Sequence, residues 1–261
     1  MRFRLARWIA FRAQRAWDHE AGVLRIEAKS PGTTDSNGQI ALILQNAGMM
    51  TLLIATRNRH KVEEIQAILG DGYRFMTLNE FPDAPEVEED KDTFAGNSSK
   101  KAEELAAWLS GRPDRPEGMV LVIADDSGLE VDVLDGAPGV FSARYAAMES
   151  GSAGNSPDSE NNARLLRELA DVSDDKKTAR FRCVIAVLKV GAGPGRSATF
   201  DGACEGRIQD GPTGDAGFGY DPLFVPEGFE QSFAELGEET KNRLSHRARA
   251  LEKLKPWLEA R

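Results

Sequence analysis

The sequence predicts an α/β fold: a mixed central β-sheet flanked by helices, with two lobes around a central cleft. Three features carry this expectation. From residue 50 onward, short apolar runs alternate with stretches of helical periodicity. Residues 120–124 (VLVIA) are continuously apolar, as in a strand covered on both faces. The β-rich stretches 179–190 and 197–207 flank a Gly/Pro turn at 191–195 and read as a hairpin.

The elements follow in order. Residues 51–55 (TLLIA) are the first strand-like run. Residues 61–69 place apolar side chains at 62, 65, 68 and 69, the spacing of one helix face, and Gly70 and Gly72 end that helix. A second amphipathic helix covers 93–109, with Thr93 as N-cap candidate and Gly111 and Pro113 beyond its end. Residues 158–170 form another helix. The range 238–258 reads as one final helix with 244, 248, 251, 254 and 258 on a single face. No internal repeat is visible.

At 261 residues the chain is long enough for one large domain or two small ones. A hydrophobic fraction of 41% with 29% charged residues is that of a soluble globular protein. No stretch approaches the roughly 18 apolar residues of a membrane span. A net charge of −9 argues against a nucleic-acid binder, but a few focused lysines suffice for a small phosphorylated ligand. Cys183 and Cys204 are too few for a disulfide framework or a zinc cluster, and Cys183 reads as a buried, reduced thiol. Residues 1–17 are rich in arginine and lack acids, superficially like an organelle-targeting peptide, and 29–38 is a turn-rich polar run. Met49 and Met50 directly precede the first strand. We therefore read 1–48 as an N-terminal extension and 49–261 as the functional domain.

Four segments are richer in polar groups than a bland fold requires. In Thr56–Lys61 (TRNRHK) a strand end leads into a helix start, where free N–H groups and the helix dipole favour an anion. Capping alone explains Asn58 equally well. Lys61 is less expected in a first turn, where acids are favoured, and a phosphate resolves the anomaly. The P-loop pattern is absent. The acidic run 86–92, ordinarily a solvated loop, leads to Lys100 and Lys101 in the next helix. Asp125 and Asp126 are placed at the end of a central apolar strand, a costly location unless they are solvated, paired or bound to a cation. Ligands of open α/β sheets bind beyond the carboxyl ends of the strands. Carboxylates with water and phosphate are what magnesium prefers. Gly217 and Gly219 around Phe218 suggest a tight loop presenting an aromatic face; a plain turn with a core aromatic is the alternative. Lys241, Ser245 and Arg249 share a helix face by four-residue spacing, beside His246 and Arg247.

Together these segments resemble the inosine/xanthosine triphosphate pyrophosphatase family over about residues 50–258. The matched motifs are Thr56, Asn58 and Lys61; Thr93, Phe94, Asn97, Lys101 and Ala102; Ala124–Leu129 (ADDSGL); 136–139 (GAPG) and 142–145 (SARY); 218–222 (FGYDP); and 245–247 (SHR) with Lys241 ahead. The resemblance implies triphosphate contacts from Thr56, Asn58, Lys61 and Lys101. It implies Asp126 as catalytic aspartate and Mg2+ ligand, with Glu89 as the second acid and Ser127 at the substrate. Phe218, Gly219, Tyr220 and Asp221 would form the base-and-sugar loop, and Lys241, His246 and Arg247 the purine-reading group. A cytoplasmic homodimer is also implied. Two positions depart from the family: Gly96 stands where a glutamate is usual, and Arg57 replaces a frequent glycine.

The expected reaction is attack of water on the α-phosphorus, giving a monophosphate and pyrophosphate from ITP, dITP or XTP. Donors from His246, Arg247 or Lys241 to the 6-oxo group would reject adenine. Two other readings compete: a pyrophosphatase for another modified nucleotide, and a nucleotide sensor without turnover, which Gly96 favours. A nucleic-acid binder is a poor third.

Overall fold

The computed structural model describes residues 14–18, 23–27, 49–151, 154–193 and 195–261. The chain divides into two compact units, Met1–Ala47 and Gly48–Arg261. In the first, β1 (Gln14–Asp18) pairs antiparallel with β2 (Val23–Glu27). Most of the arginine-rich start, the polar run 29–38 and Pro194 of the turn 191–195 lie outside the described residues.

The second unit is built on β3 (Thr51–Ile54), β4 (Arg74–Thr77), β5 (Val120–Val131), β6 (Thr178–Lys189), β7 (Ala198–Ile208) and β8 (Phe224–Pro226). They form one sheet in the order β4-β3-β5-β6-β7-β8. Strand β3 runs parallel to β4 and β5, and the remaining neighbours are antiparallel, so the sheet is mixed as the sequence predicts. The helices are α1 (Arg59–Leu69), α2 (Phe94–Ser110), α3 (Tyr145–Ser150), α4 (Asp158–Glu168), α5 (Phe233–Leu244) and α6 (His246–Glu259).

Strand alternation decides which helix covers which face. Leu52, Ile54, Leu121, Ile123 and Ile185 pack with Val62, Ile65 and Leu69 of α1 and Leu251, Leu254 and Leu258 of α6. Leu53, Val122, Ala124, Ala186 and Leu188 pack on Ala102, Leu105 and Leu109 of α2. A third cluster around Phe181, Phe224, Phe233 and Leu165 packs at the far end of the long strands. Truncating a leucine in such a core, Leu254 for example, costs about 2–5 kcal/mol. Cys183 is fully buried and unpaired, as expected of a core thiol.

Local chemistry fixes the helix ends. Asn58 caps α1 by accepting from the Lys61 N–H, and Thr93 caps α2 by accepting from the Gly96 N–H. Ser232 and Glu235 form a reciprocal capping box at the start of α5.

Two expectations need correction. The single final helix is two helices. Ser245 is extended (φ −65°, ψ 159°), ends α5 and caps α6 by accepting from the Ala248 N–H. The first of them begins at Phe233 and is interrupted at Gly237 (φ 76°). The continuous apolar face concealed this break, because a serine after an apolar residue satisfies both a helix interior and an N-cap. Four-residue spacing through Ser245 therefore does not hold. The second correction concerns Asp125 and Asp126, which lie within β5 rather than at its end. It is β3 that ends there: Ile54 is opposite Ile123, while β5 continues beside β6 as far as Val131.

Candidate active site

Because β3 stops at Ile54, residues 124–127 of β5 have a strand on one edge only among the described residues. This open edge is where charged groups collect. Alternation sends Asp125 toward α1 and α6, the side of Leu121 and Ile123, and Asp126 toward α2.

On the first side, Lys61 Nζ donates to Asp125 Oδ1 at 2.8 Å. Arg247 donates to Asp125 Oδ2 through Nε at 3.1 Å and Nη2 at 2.9 Å. Its Nη2 also donates to Ser127 Oγ at 3.0 Å, and its Nη1 to Glu64. Lys241 Nζ completes the network with Glu64 Oε1 at 2.8 Å and Asp221 Oδ2 at 2.6 Å. Arg247, Asp125, Glu64, Lys241 and Asp221 are all buried. Burial opposes ionisation of Asp125, but Lys61 and Arg247 outweigh it and hold the carboxyl below its usual range. Glu64 is likewise lowered, Arg247 and Lys241 overcoming its burial. The break at Ser245 puts His246 and Arg247 in the first turn of α6, and Gly202 of β7 admits that helix. A Cβ at Gly202 would come within 2.1 Å of the His246 carbonyl and 2.6 Å of the Ala250 nitrogen.

On the second side, Asn97 Nδ2 donates to Asp126 Oδ2 at 3.0 Å, and Asn97 Oδ1 accepts the Lys91 N–H at 2.9 Å. Asn97 thus ties the acidic loop to Asp126. Asp126 Oδ1 accepts the Ser127 N–H at 3.0 Å. Lys101 Nζ bonds Glu89 and the Asp125 carbonyl, the latter at 3.3 Å. Burial, then the Glu89 carboxylate, raise Asp126 to about 6. Burial would lower Lys101, but Glu89 reverses the shift and raises it. Gly96 has a local cause: a Cβ there would meet Lys91 Cβ at 2.8 Å. Arg57 is exposed and donates to the Ala84 carbonyl at 3.2 Å.

Asn58, Lys61, Ser127, Phe218, Gly219, Tyr220, Asp221, Lys241, His246 and Arg247 line one cavity. Thr56, Glu89, Lys101 and Asp126 are not among its walls. Asp126 precedes the lining Ser127 in β5, Lys101 joins Glu89 to the Asp125 carbonyl, and both Lys61 and Lys101 act electrostatically on Asp126. Thr56 Oγ1 accepts the Asn58 N–H at 3.1 Å and so shapes the turn before α1. Asp221 is spent on the loop itself, its Oδ2 accepting the Phe218 N–H at 2.8 Å as well as bonding Lys241. The Tyr220 hydroxyl donates to the Ser142 carbonyl at 2.9 Å. Gly217 (φ 80°) has no room for a Cβ, which would lie 2.2 Å from Asp221 Oδ2. Helix α4 clamps Gly219 on both sides: Asp158 Oδ2 accepts the Gly219 N–H at 2.7 Å, and Asn162 Nδ2 donates to the Gly219 carbonyl at 3.1 Å.

His246 is buried and stacked on Phe181, with ring centroids 4.8 Å apart. Burial, reinforced by Arg247 and Lys241, lowers it well below its usual value, so the imidazole is neutral. Its Nδ1 is buried without a hydrogen-bond partner among the described residues. Four of the five Arg247 N–H groups, by contrast, are already engaged.

Sequence reading missed Glu64, gave Asp125 only a share with Asp126 in a metal or catalytic pair, and left Asn97 without a role. Glu64 carried a signal, since it lies between Val62 and Ile65 on the buried side of α1, where an acid needs a partner. The partner, 183 residues away, carried none.

A sequence model of the Ham1 family matches residues 52–257. The dITP/XTP pyrophosphatase of Shouchella clausii is 49% identical over 212 residues, covering 81% of this chain and 98% of the relative. That of Geobacter sulfurreducens is 49% identical over 212 residues, covering 80% and 97%. The solved HAM1 protein from Coxiella burnetii superposes with a TM-score of 0.69 at 34% identity, across 82% of this chain and 100% of that one. Matched over most of its length in sequence and in fold, the chain belongs to the Ham1 family.

Proposed function

We propose that this protein hydrolyses deaminated purine nucleoside triphosphates, ITP, dITP and XTP, to the monophosphate and pyrophosphate, removing them before they enter nucleic acids. The observation that carries this reading is a buried carboxylate, Asp126, held by Asn97 between the Lys61–Asp125 pair and the Lys101–Glu89 pair. Relatives named dITP/XTP pyrophosphatase support the substrate class.

Magnesium belongs to the proposal. Among the described residues no group of three or more His, Cys, Asp or Glu side chains forms a metal cage. Magnesium needs none, because it takes one or two carboxylates and fills its shell with water and substrate phosphates. Asp126 and Glu89 fit it, and the burial and the Glu89 repulsion that lift Asp126 are what a bound divalent cation would offset. When bound, the ion would neutralise phosphate charge as the transition state forms.

The chain's own groups do the rest. Asp126 takes the proton of the water that attacks the α-phosphorus. As the bond to the β-phosphate oxygen breaks, Lys61 and Lys101 offset the charge gathering on pyrophosphate. Asn58 and the N-terminal N–H groups of α1 steady the phosphates, and Ser127 adds a hydroxyl beside them. Phe218, Gly219 and Tyr220 bound the base, with Asp221 and Lys241 setting the loop's shape. His246 lines the cavity with Nδ1 unpartnered, and as the Nδ1–H tautomer it would donate to the 6-oxo group. A 6-amino group would leave a donor unmatched, at about 1–3 kcal/mol. Arg247 orients Ser127 and Asp125 before it contacts substrate. Asp126→Asn should lower turnover of dITP about a hundredfold or more; near-normal pyrophosphate release by this variant would remove Asp126 from the reaction.

We also propose a cytoplasmic homodimer. Two unpaired cysteines suit a reducing compartment, and no described helix is long and apolar enough to cross a membrane. Val133, Phe141 and Met148 are exposed along one stretch of chain and offer apolar contact for a second copy. A single-chain mass by light scattering would contradict the dimer.

A further inference from the structure

His60 has no part in the mechanism above, although it stands between Asn58 and Lys61. Its imidazole is stacked on Phe218, with centroids 5.5 Å apart and planes inclined by 16°. Phe218 lines two cavities. One is the nucleotide cavity already described. The other lies behind it, walled by His60, Glu63, Ala67, Glu238 and Asn242. His60 borders only the second cavity, so the imidazole meets the ring from outside the nucleotide cavity. The ring's other neighbours are cations, Arg247 Cζ lying 6.0 Å from its centroid. Gly217 (φ 80°) and Gly219 (φ 64°) flank it, its backbone is held by Asp221, and Lys241 Nζ lies 4.3 Å from its centroid.

We infer that His60 is a positioning residue that backs Phe218, so that the purine stacks on a ring already held in place. This rests on the nucleotide reading above. The geometry gives the device a second property: one turn of α1 carries both Lys61, at the phosphate end, and His60, at the base end. Phosphate grip and base stacking are thereby set to a common frame. Their contributions remain separable, because His60 acts through Phe218 alone while Lys61 reaches Asp125.

The test uses the full chain with His60→Ala and His60→Phe. Three quantities are measured: dITP kinetics with magnesium, and calorimetric binding of inosine monophosphate and of inorganic tripolyphosphate. An aromatic pair of this kind corresponds to about a three- to tenfold change in affinity. The inference expects His60→Ala to raise KM for dITP and weaken inosine monophosphate by that factor, with kcat within about twofold and tripolyphosphate binding unchanged. His60→Phe, which keeps a flat ring, should restore both. Wild-type values in His60→Ala, an equal loss of tripolyphosphate binding, or no rescue by His60→Phe would each overturn the inference while leaving the nucleotide reading in place. An unaltered protein that neither turns over dITP nor binds inosine monophosphate would overturn that reading, and this inference with it.

Discussion

In the proposed mechanism Asp126 joins stability to chemistry. A carboxyl raised in the folded protein holds its proton more tightly folded than unfolded. Ionising it therefore costs stability as pH rises from its ordinary 3.8 to about 6, and the cost stays constant above that. The penalty is on the order of 3 kcal/mol. Asp126→Asn should thus stabilise the metal-free protein at pH 8 by about 1–3 kcal/mol in urea unfolding while suppressing hydrolysis, and the gain should vanish below pH 4. A destabilised variant at pH 8 would mean that the carboxylate is not strained there. His246 works in the other direction on pH. Its lowered value means the unfolded chain takes up a proton near 6.5 that the folded one refuses, so stability falls as pH drops through that region. At this scale Asp126, Lys61 and His246 were legible as motif residues, because costly groups in an apolar context advertise themselves. The division of labour between Asp125 and Asp126 was not. It depends on which face of β5 each one takes, and the sequence reading ended the strand before either.

Among the elements, the close crossing of α6 over β7 sets the position of His246 and Arg247. Gly202 permits it, and no side chain fits between the Gly202 Cα and the α6 backbone. Gly202→Ala should force α6 outward, lowering stability by about 1–3 kcal/mol and raising KM for dITP more than tenfold. Wild-type melting temperature and KM would show that the helix has slack. Strand and helix order was legible because periodicities of 2 and 3.6 distinguish them over long windows. The break at Ser245 was not, since N-capping is decided by one serine's backbone conformation. Strand β4 also passed unread, being four residues long and only partly buried.

For the molecule as a whole, the core and site described here lie within Gly48–Arg261, and the Ham1 match begins at residue 52. We expect deletion of residues 1–48 to leave dITP kinetics and melting temperature of the remaining domain unchanged; loss of folded or active protein would assign that segment a structural role. The mixed sheet was legible from its two signatures, an apolar central run and a long hairpin. What no local pattern encodes is that β3 stops short while β5 runs on. That mismatch opens one strand edge on which α1, α2 and α6 converge with Lys61, Lys101 and Arg247. The function follows from what such an edge can hold. Its most direct test is pyrophosphate release by the full-length protein from dITP, XTP, dGTP and dATP, each with and without magnesium. We predict rapid release from dITP and XTP only with magnesium, and at least about tenfold slower release from dATP, as one unmatched buried donor requires. Equal rates for dITP and dATP, or no pyrophosphate from any of the four, would contradict the account.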